Sequence, residues 1–385
     1  MKNITLLWIL LAVCSCGKTK EAGTRLLTVD VAKDYPQKEI CIQDIAEIDY
    51  LPIATTDSTL VNSIPSSVTK EGIVARGGRP GEILLFDGKG QNLVGRICRR
   101  GQGPEEYTAI IFNTVDWKRK EVFIADYTSL KVYDFAGRYL RTLLQEDIMA
   151  MDIHNLNDDY LLCGSDRKEA QTPYHPYFLL PKNGGEADSL SLKIPYFIAS
   201  KRKILWDDGH TNDAYGTIPL LFSSADKIWL TNVALDTVFL LHPDLRIEPV
   251  MVPLHAPTKH PEAPLLFFRG MNDRYAWVSR LPRQVTVKMS DMEAGREKRE
   301  NLYMHDRTTN EWFEPVYRNK AYKNEDRTYI NLTSVPYGYG LVTLNAMDLT
   351  EAYRKNEITD DKLKKIASTL KEEDNPVLML LKFNK

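Results

Sequence analysis

Short apolar runs, each entered through a polar turn, recur six times along the chain: KEGIVAR (70–76), KRKEVFIAD (118–126), NDDYLLC (157–163), ADKIWLTN (225–232), NDRYAWVS (272–279) and PYGYGLVTL (336–344). Runs this short, bounded by Gly, Asn or Asp, predict hairpin strands rather than helices. A second run follows most of them, an apolar strand ending at an Asp or Pro corner: ILLFDGKGQNLVGRI (83–97), LKVYDFAGRYLRTL (130–143) and YFLLPKNGGEADSL (177–190). Phe86, Tyr133 and Leu180 fall in one column, Asp87, Asp134 and Pro181 in the next, and Gly90, Gly137 and Gly184 three further on, each copy 47 residues after the last. TVFLLHPDLRIEPV (237–250) keeps the strand but has a proline corner in place of the glycine one, and NLYMHDRTTNEWFEP (301–315) repeats the pattern at Asp306.

A period of 40 to 50 residues with few helices predicts an all-β fold, a six-bladed β-propeller of four-stranded blades, as one domain over 25–385. Surplus length lies at 165–212 and at 281–300, where MSDMEAGREKRE reads as a short charged helix or loop. The C-terminus predicts a short helix before the last strand, with Leu363, Ile366, Ala367 and Leu370 on one side and Asp360 near its cap. Because a ring must close without exposed edges, the final strand NPVLMLL is expected to share a sheet with AEIDYLPI (46–53).

The first residues change where this domain belongs. MKNITLLWILLAVCSCGKTKEAG opens with Lys2, an apolar run from Ile4 to Val13, and then VCSC. That pattern predicts an export signal over 1–15, too short to span a membrane. Val13 and Ser15 before Cys16 look like a bacterial lipobox, so Cys16 is the expected lipidated N-terminus and 16–24 a tether to the membrane. The weakly charged GKTKEAG after Cys16 favours an outer-membrane lipoprotein on the periplasmic leaflet over the cell surface. Cys41, Cys98 and Cys163 remain, an odd number in apolar surroundings, which predicts core packing and at most one disulfide. The formal net charge is -2, about -3 without the leader, which excludes the basic footprint of a nucleic-acid binder.

GRICRRGQGPEEY (95–107) lacks the Lys-Ser pair of a phosphate cradle, and Glu105 and Glu106 answer Arg99 and Arg100. It reads as a corner between strands of successive blades, with Gly101 and Gly103 permitting positive φ and close backbone approach, Pro104 stiffening the exit and Tyr107 packing back. Together with LVNSIPSSV, KEVFIAD, LKVYDFAGRYL and the closing LKEEDNPVLMLLKF, it resembles the six-bladed β-propeller lipoproteins of Bacteroidetes-type bacteria, relatives of NHL-repeat propellers. The resemblance covers almost all of the mature chain. It implies a lipid-tethered propeller among outer-membrane proteins that handle nutrients, and no agreed activity. EGIVARGGRPGEILLFD departs from the family, which usually carries an aspartate-bearing turn there.

Chemistry on such a scaffold is sought at the mouths of the central channel. Tyr174, Tyr177, Trp206 and Tyr215 beside Asp207 and Asp208 suit stacking on sugar rings or gripping a peptide, with Arg99 and Arg100 on one face of the ring; core packing is the competing explanation for each aromatic. The expected function is a ligand-binding or protein-interaction module, its partner a glycan, a peptide or an outer-membrane protein. The alternative is a metal-dependent lyase or lactone hydrolase. Calcium at the channel would need converging carboxylates, for which Asp126 and Asn232 occupy matching positions, although both also suit turn caps. No H-E-x-x-H, G-x-S-x-G or triad spacing is present in the sequence.

Overall fold

Each of the six predicted hairpin strands lies in a different sheet of the computed structural model, which describes residues 26–145, 150, 152–164, 175–194, 198, 200–216, 221–224, 226–256, 258–293, 300–324 and 328–385. The first sheet runs in sequence order through Ser67–Val68, Gly72–Arg76, Glu82–Asp87 and Leu93–Cys98. The second uses Phe112–Asp116, Glu121–Ala125, Ser129–Asp134 and Tyr139–Gln145, and the third Asp152–Asn155, Tyr160–Gly164, Tyr177–Pro181 and Asp188–Ser189. Leu221–Ser224, Lys227–Leu230, Val238–Leu241 and Ile247–Pro253 make the fourth, extended by Leu27–Val29 in parallel. The fifth is Leu265–Met271, Tyr275–Leu281, Asn301–Asp306 and Glu311–Arg318, extended in parallel by Gln37–Cys41.

The sixth sheet joins the two ends of the chain as expected, but it has three strands, and the added N-terminal strands give the fourth and fifth sheets five each, against the four expected throughout. Tyr339–Leu344 pairs with Val377–Phe383, which pairs antiparallel with Ala46–Pro52 from Val377↔Pro52 to Phe383↔Ala46. The two surplus segments do more than loop out. Ser200–Leu205 pairs antiparallel with Thr211–Gly216 and parallel with Gln284–Lys288, so segments far apart in sequence build a separate three-stranded sheet. Met289–Glu293 follows as a helix.

Burial explains the strand compositions. In the second sheet both middle strands, EVFIA and SLKVYD, are buried almost throughout, because both of their faces meet apolar neighbours. Such strands read as continuous apolar runs rather than alternating ones. Val74, Ile83 and Leu85 of the first sheet pack with Val115, Val122 and Ile124 of the second. Phe123 and Val132 pack with Leu161 and Phe178 of the third, and Leu162 and Leu179 with Leu221 and Leu230 of the fourth. Phe222 and Trp229 meet Phe268 and Val278 of the fifth; Trp277 and Met304 meet Met379 and Leu381 of the sixth. Leu378 of the sixth lies with Leu84 and Phe86 of the first. Each fully buried side chain of this size contributes about 1.5–3 kcal/mol.

The glycine column is a repeated turn. Gly90, Gly137 and Gly184 all have left-handed φ (70°, 76° and 90°), and each donates its N–H to the carbonyl three residues back, on Asp87, Asp134 and Pro181. The fourth copy makes the same bond from Leu245 to His242, with Leu245 at φ 69° in the glycine's place. Gly101 and Gly103 are different, because neither has positive φ. At Gly101 a Cβ would come within 1.8 Å of the Glu106 carboxylate, the movable end of a side chain that would have to swing aside and give up its bond to Gly103. Glu106 accepts the Gly103 N–H at 2.9 Å, while Tyr107, fully buried, donates its hydroxyl to the Gly81 carbonyl. The corner thereby links the last strand of the first sheet to the first strand of the second.

Two helices, not one, precede the last strand: Ala346–Arg354, capped by Asn345, and Asp361–Ala367, whose cap Asp360 accepts the Leu363 N–H at 2.7 Å. A polar interruption around Asn356, at φ 53°, splits the helical pattern. The described cysteines are free; Cys163 is buried in the core between the second and third sheets, but Cys98 is exposed, against the expectation that each packs inside. Cys98 sits on an outermost strand, where alternate residues face solvent.

Candidate functional site

The strands that begin the first four sheets, SV, FNTVD, DIHN and LFSS, are short and comparatively polar. Each is an edge of its sheet. With the segment 333–339 leading into the sixth sheet, they line a cavity of about 1200 Å³. Period-two alternation sorts their side chains: Ile153 joins the core while Asp152 and His154 point the other way, and Phe222 packs inward beside cavity-facing Ser223.

The lining mixes hydroxyl and amide groups such as Ser66, Asn113, Asn155, Ser223 and Thr333 with apolar side chains and with charged ones, among them Arg76, Asp152 and Asp226. His154 reaches across from the third sheet to the fourth, its Nδ1 2.7 Å from Ser223 Oγ. Asp152 Oδ1 lies 2.8 Å from the other ring nitrogen, Nε2, but approaches off the N–H axis, so it is a close charge rather than an aligned acceptor. Tyr337 supplies an aromatic wall and is fixed at both ends. Its N–H donates to Asp226 Oδ1 at 2.7 Å and its hydroxyl to Asp273 Oδ1 at 3.0 Å, while Lys227 Nζ sits 3.6 Å above the ring. Burial pushes the Tyr337 phenol well above its ordinary value, the Asp273 carboxylate adding to the effect.

The wall between the second and third sheets is held by a buried ion pair. Lys182 is fully enclosed, with Nζ 2.6 Å from Asp116 Oδ2 and also donating to the Asn157 carbonyl. Asp116 accepts the Arg119 N–H at 2.9 Å on its other oxygen. Arg141 clamps Glu121 through two bonds of 2.8 and 2.7 Å and donates to the Lys182 carbonyl. Direct pairing, with further hydrogen bonds to both charges, is what makes such a buried pair tolerable.

The residues chosen from sequence are not gathered at this cavity. Tyr177 is buried between the third and fourth sheets, where its hydroxyl accepts the Asn232 N–H at 3.1 Å. Trp206 stacks on His210 with ring centroids 5.2 Å apart, in the turn of the separate three-stranded sheet; Asp208 pairs with His210, and Asp207 is exposed beside it. Tyr215 lies on the neighbouring strand Thr211–Gly216, and Tyr174 and Cys16 lie outside the described residues. Arg99 donates to the Gly137 carbonyl at 2.9 Å and Arg100 to that of Thr108 at 3.1 Å, which puts both to work in the corner.

Asp126 and Asn232 are turn caps. Asp126 Oδ1 accepts from the N–H groups of Thr128 and Ser129 at 2.9 and 2.7 Å, and Asn232 from that of Ala234 at 2.9 Å. Burial raises the Asp126 carboxyl, but the hydrogen bonds from Thr128, Ser129 and Thr108 outweigh it and hold it below the usual range. Among the described residues no three His, Cys, Asp or Glu side chains are placed to hold a metal ion, and no helix is long and apolar enough to cross a membrane.

The cavity was legible in a signal other than the aromatics. SSV, FNTVD, DIHN and LFSS each stand a few residues before a strongly apolar hairpin strand, and each carries polar side chains within a short extended stretch.

Comparison with solved structures places the fold beside a candidate exported protein of Bacteroides fragilis, at 14% identity and TM-score 0.62, covering 94% of this chain and all of that one. A member of the DUF4221 family from Bacteroides vulgatus aligns at 10% identity and TM-score 0.42, over 88% of this chain and 97% of that one. No curated protein matches the chain. Residues 26–382 match the family described as a domain of unknown function, DUF4934, and the chain belongs to that family.

Proposed function

We propose that the first six sheets described above are the blades of a closed propeller, exported and held at the cell envelope by lipid on Cys16, whose central cavity binds a neutral, polyhydroxylated solute such as a glycan. The ring is supported by the order of the shared apolar clusters, which pass from each sheet to the next and from the sixth back to the first. A relation to NHL-repeat propellers, as the sequence resemblance implies, belongs to the same proposal. The observation that carries the binding role is the cavity itself: about 1200 Å³, large enough for a small oligosaccharide, and lined by hydroxyl and amide groups set among apolar and charged side chains, with Tyr337 and Trp117 as aromatic faces. Export and periplasmic placement rest on the leader pattern, with the exported Bacteroides fragilis candidate as a companion in fold.

A melting screen of the full chain in detergent, with oligosaccharides, peptides and divalent cations, each with and without chelator, tests the binding role. A neutral oligosaccharide is expected to raise the midpoint regardless of chelator; saturation to a hundred times Kd corresponds to about 2.7 kcal/mol. A shift with calcium or zinc that chelator reverses would replace this proposal with the metal-dependent lyase or lactonase, and silence from every small molecule would replace it with a protein partner. Cys16→Ala is expected to release the protein from the membrane fraction.

A further inference from the structure

We propose that Ser223, His154 and Asp152 form a metal-independent nucleophilic site in the cavity wall that cleaves a small carboxylic ester. Three conditions define such a site: a nucleophile within reach of a base, a third group beside the base, and open space in front of the nucleophile. Ser223 Oγ lies 2.7 Å from His154 Nδ1, Asp152 lies 2.8 Å from His154 Nε2, and all three line the cavity. The nucleophile and base come from different sheets, so no sequence spacing announces them. The reaction needs the tautomer with its proton on Nε2, which Asp152 favours as a nearby charge rather than as an aligned acceptor, and which leaves the Nδ1 lone pair facing the serine hydroxyl.

Ser223 sits on Leu221–Ser224, an edge strand. Alternate backbone N–H groups of such a strand point away from its ladder, the kind of donor an oxyanion needs. As Oγ attacks the ester carbonyl carbon, its proton passes to His154 Nδ1 and the carbonyl electron pair moves onto oxygen. Collapse expels the alkoxide, which takes the proton from His154 and leaves as the alcohol, with the acyl group on Ser223. Water, deprotonated by His154, then attacks the acyl carbon; the second collapse releases the carboxylic acid and returns the proton to Ser223 Oγ. One ester and one water give one acid and one alcohol, with no oxidant or metal. Asp152 acts through His154 by stabilising the imidazolium that forms in each half, and is a positioning residue.

This inference rests on the cavity being open to solutes, as the binding proposal does, but covalent chemistry reads it out separately from any ligand-induced melting shift. The test is labelling of the full chain in detergent with a fluorophosphonate probe, with the modified residue located by peptide mass mapping, alongside hydrolysis of p-nitrophenyl acetate. The expected result is a single label on Ser223, lost in Ser223→Ala, and an ester hydrolysis rate that falls by about 10²-fold or more in Ser223→Ala and in His154→Gln. Asp152→Asn is expected to lower kcat about tenfold with KM unchanged, which a merely structural role would not do. Unlabelled wild type, a label elsewhere, or hydrolysis that survives Ser223→Ala in a variant with native melting would each overturn the proposal. Mapping on the wild type keeps it falsifiable even where a variant folds poorly.

Discussion

The second sheet is written in one continuous stretch, Phe112–Gln145, whereas the sixth takes Tyr339–Leu344 and Val377–Phe383 from one end of the chain and Ala46–Pro52 from the other. Their cores are alike, yet what secures them is not. The second sheet is fixed by local turns: Asp126 and Asp134 cap its corners, and Gly137 supplies the left-handed turn. The sixth depends on partners as far apart as Glu47 and Lys382, which lie 335 residues apart. Loop closure on that scale must precede the reward of its contacts, so the sixth sheet is expected to form last.

The largest effect follows from removing the closing strand. Truncation after Asp374 takes away Val377–Phe383, strips one face of cover from Leu84 and Phe86 of the first sheet, and uncovers Trp277 of the fifth. Loss of the cooperative thermal transition is the expected outcome by calorimetry. A sharp transition near the parent midpoint would show the other sheets to be independent of closure, and the comparison would fail.

A smaller change asks where closure is locked. Asn375 is buried, accepts the Val61 N–H at 2.8 Å, and donates to the carbonyls of Ala54 and Thr59 at 2.9 and 2.8 Å. Its own N–H donates to Thr55 Oγ1 at 2.8 Å. One amide side chain thus ties the entry to the last strand to the loop after Ala46–Pro52, which gives the Asn of DNPVL a physical reason. Asn375→Ala removes three hydrogen bonds to the backbone, one of them fully buried, and is expected to cost roughly 2–4 kcal/mol. If the sixth sheet forms last, stopped-flow measurement will find most of that cost in faster unfolding rather than slower folding.

The second sheet should respond to pH through Asp126 instead. Its folded-state carboxyl lies below the ordinary value, so its contribution is complete above the unfolded value of about 3.9 and is lost as pH falls through the folded one. Asp126→Asn keeps an acceptor at the same turn, as Asn232 does in the fourth sheet, but removes the titration. Its stability measured by urea unfolding should therefore fall less steeply than the parent's below about pH 4. Parallel acid limbs for the two proteins would remove Asp126 as the source.

These contrasts also mark what sequence can carry. The strands were legible because a sheet covered on both faces needs consecutive apolar residues, and EVFIA and YLLC have them. The repeated turn was legible because left-handed φ selects glycine, and the end-to-end pairing because unpaired edges are costly. The separate sheet was not, since the parallel pairing of SKRKIL with QVTVK leaves no mark in either segment. The cavity left only a faint mark, the polar positions in the short stretches before the apolar strands, because its lining is brought together by the packing of different sheets. The large aromatics of 171–216 are a poor guide to a site, as Tyr177 shows, because a buried tyrosine and a ligand platform have the same composition.

The finest contrast lies within the repeated corner itself. Three copies place glycine at left-handed φ, and the fourth places Leu245 there, exposed and at φ 69°. A left-handed conformation costs an L-residue roughly 1–2 kcal/mol, while glycine brings its own entropic penalty from the unfolded chain. Leu245→Gly is therefore expected to stabilise the fourth sheet by about 0.5–1 kcal/mol, seen as a small rise in urea midpoint at unchanged slope. The converse change, Gly137→Leu, should destabilise by more, because a Cβ at Gly137 would lie 2.8 Å from the Arg96 carbonyl in addition to the φ penalty. If the two substitutions were equal and opposite, φ alone would govern the corner; the inequality would show that in the second sheet the turn also serves as a close contact with the first.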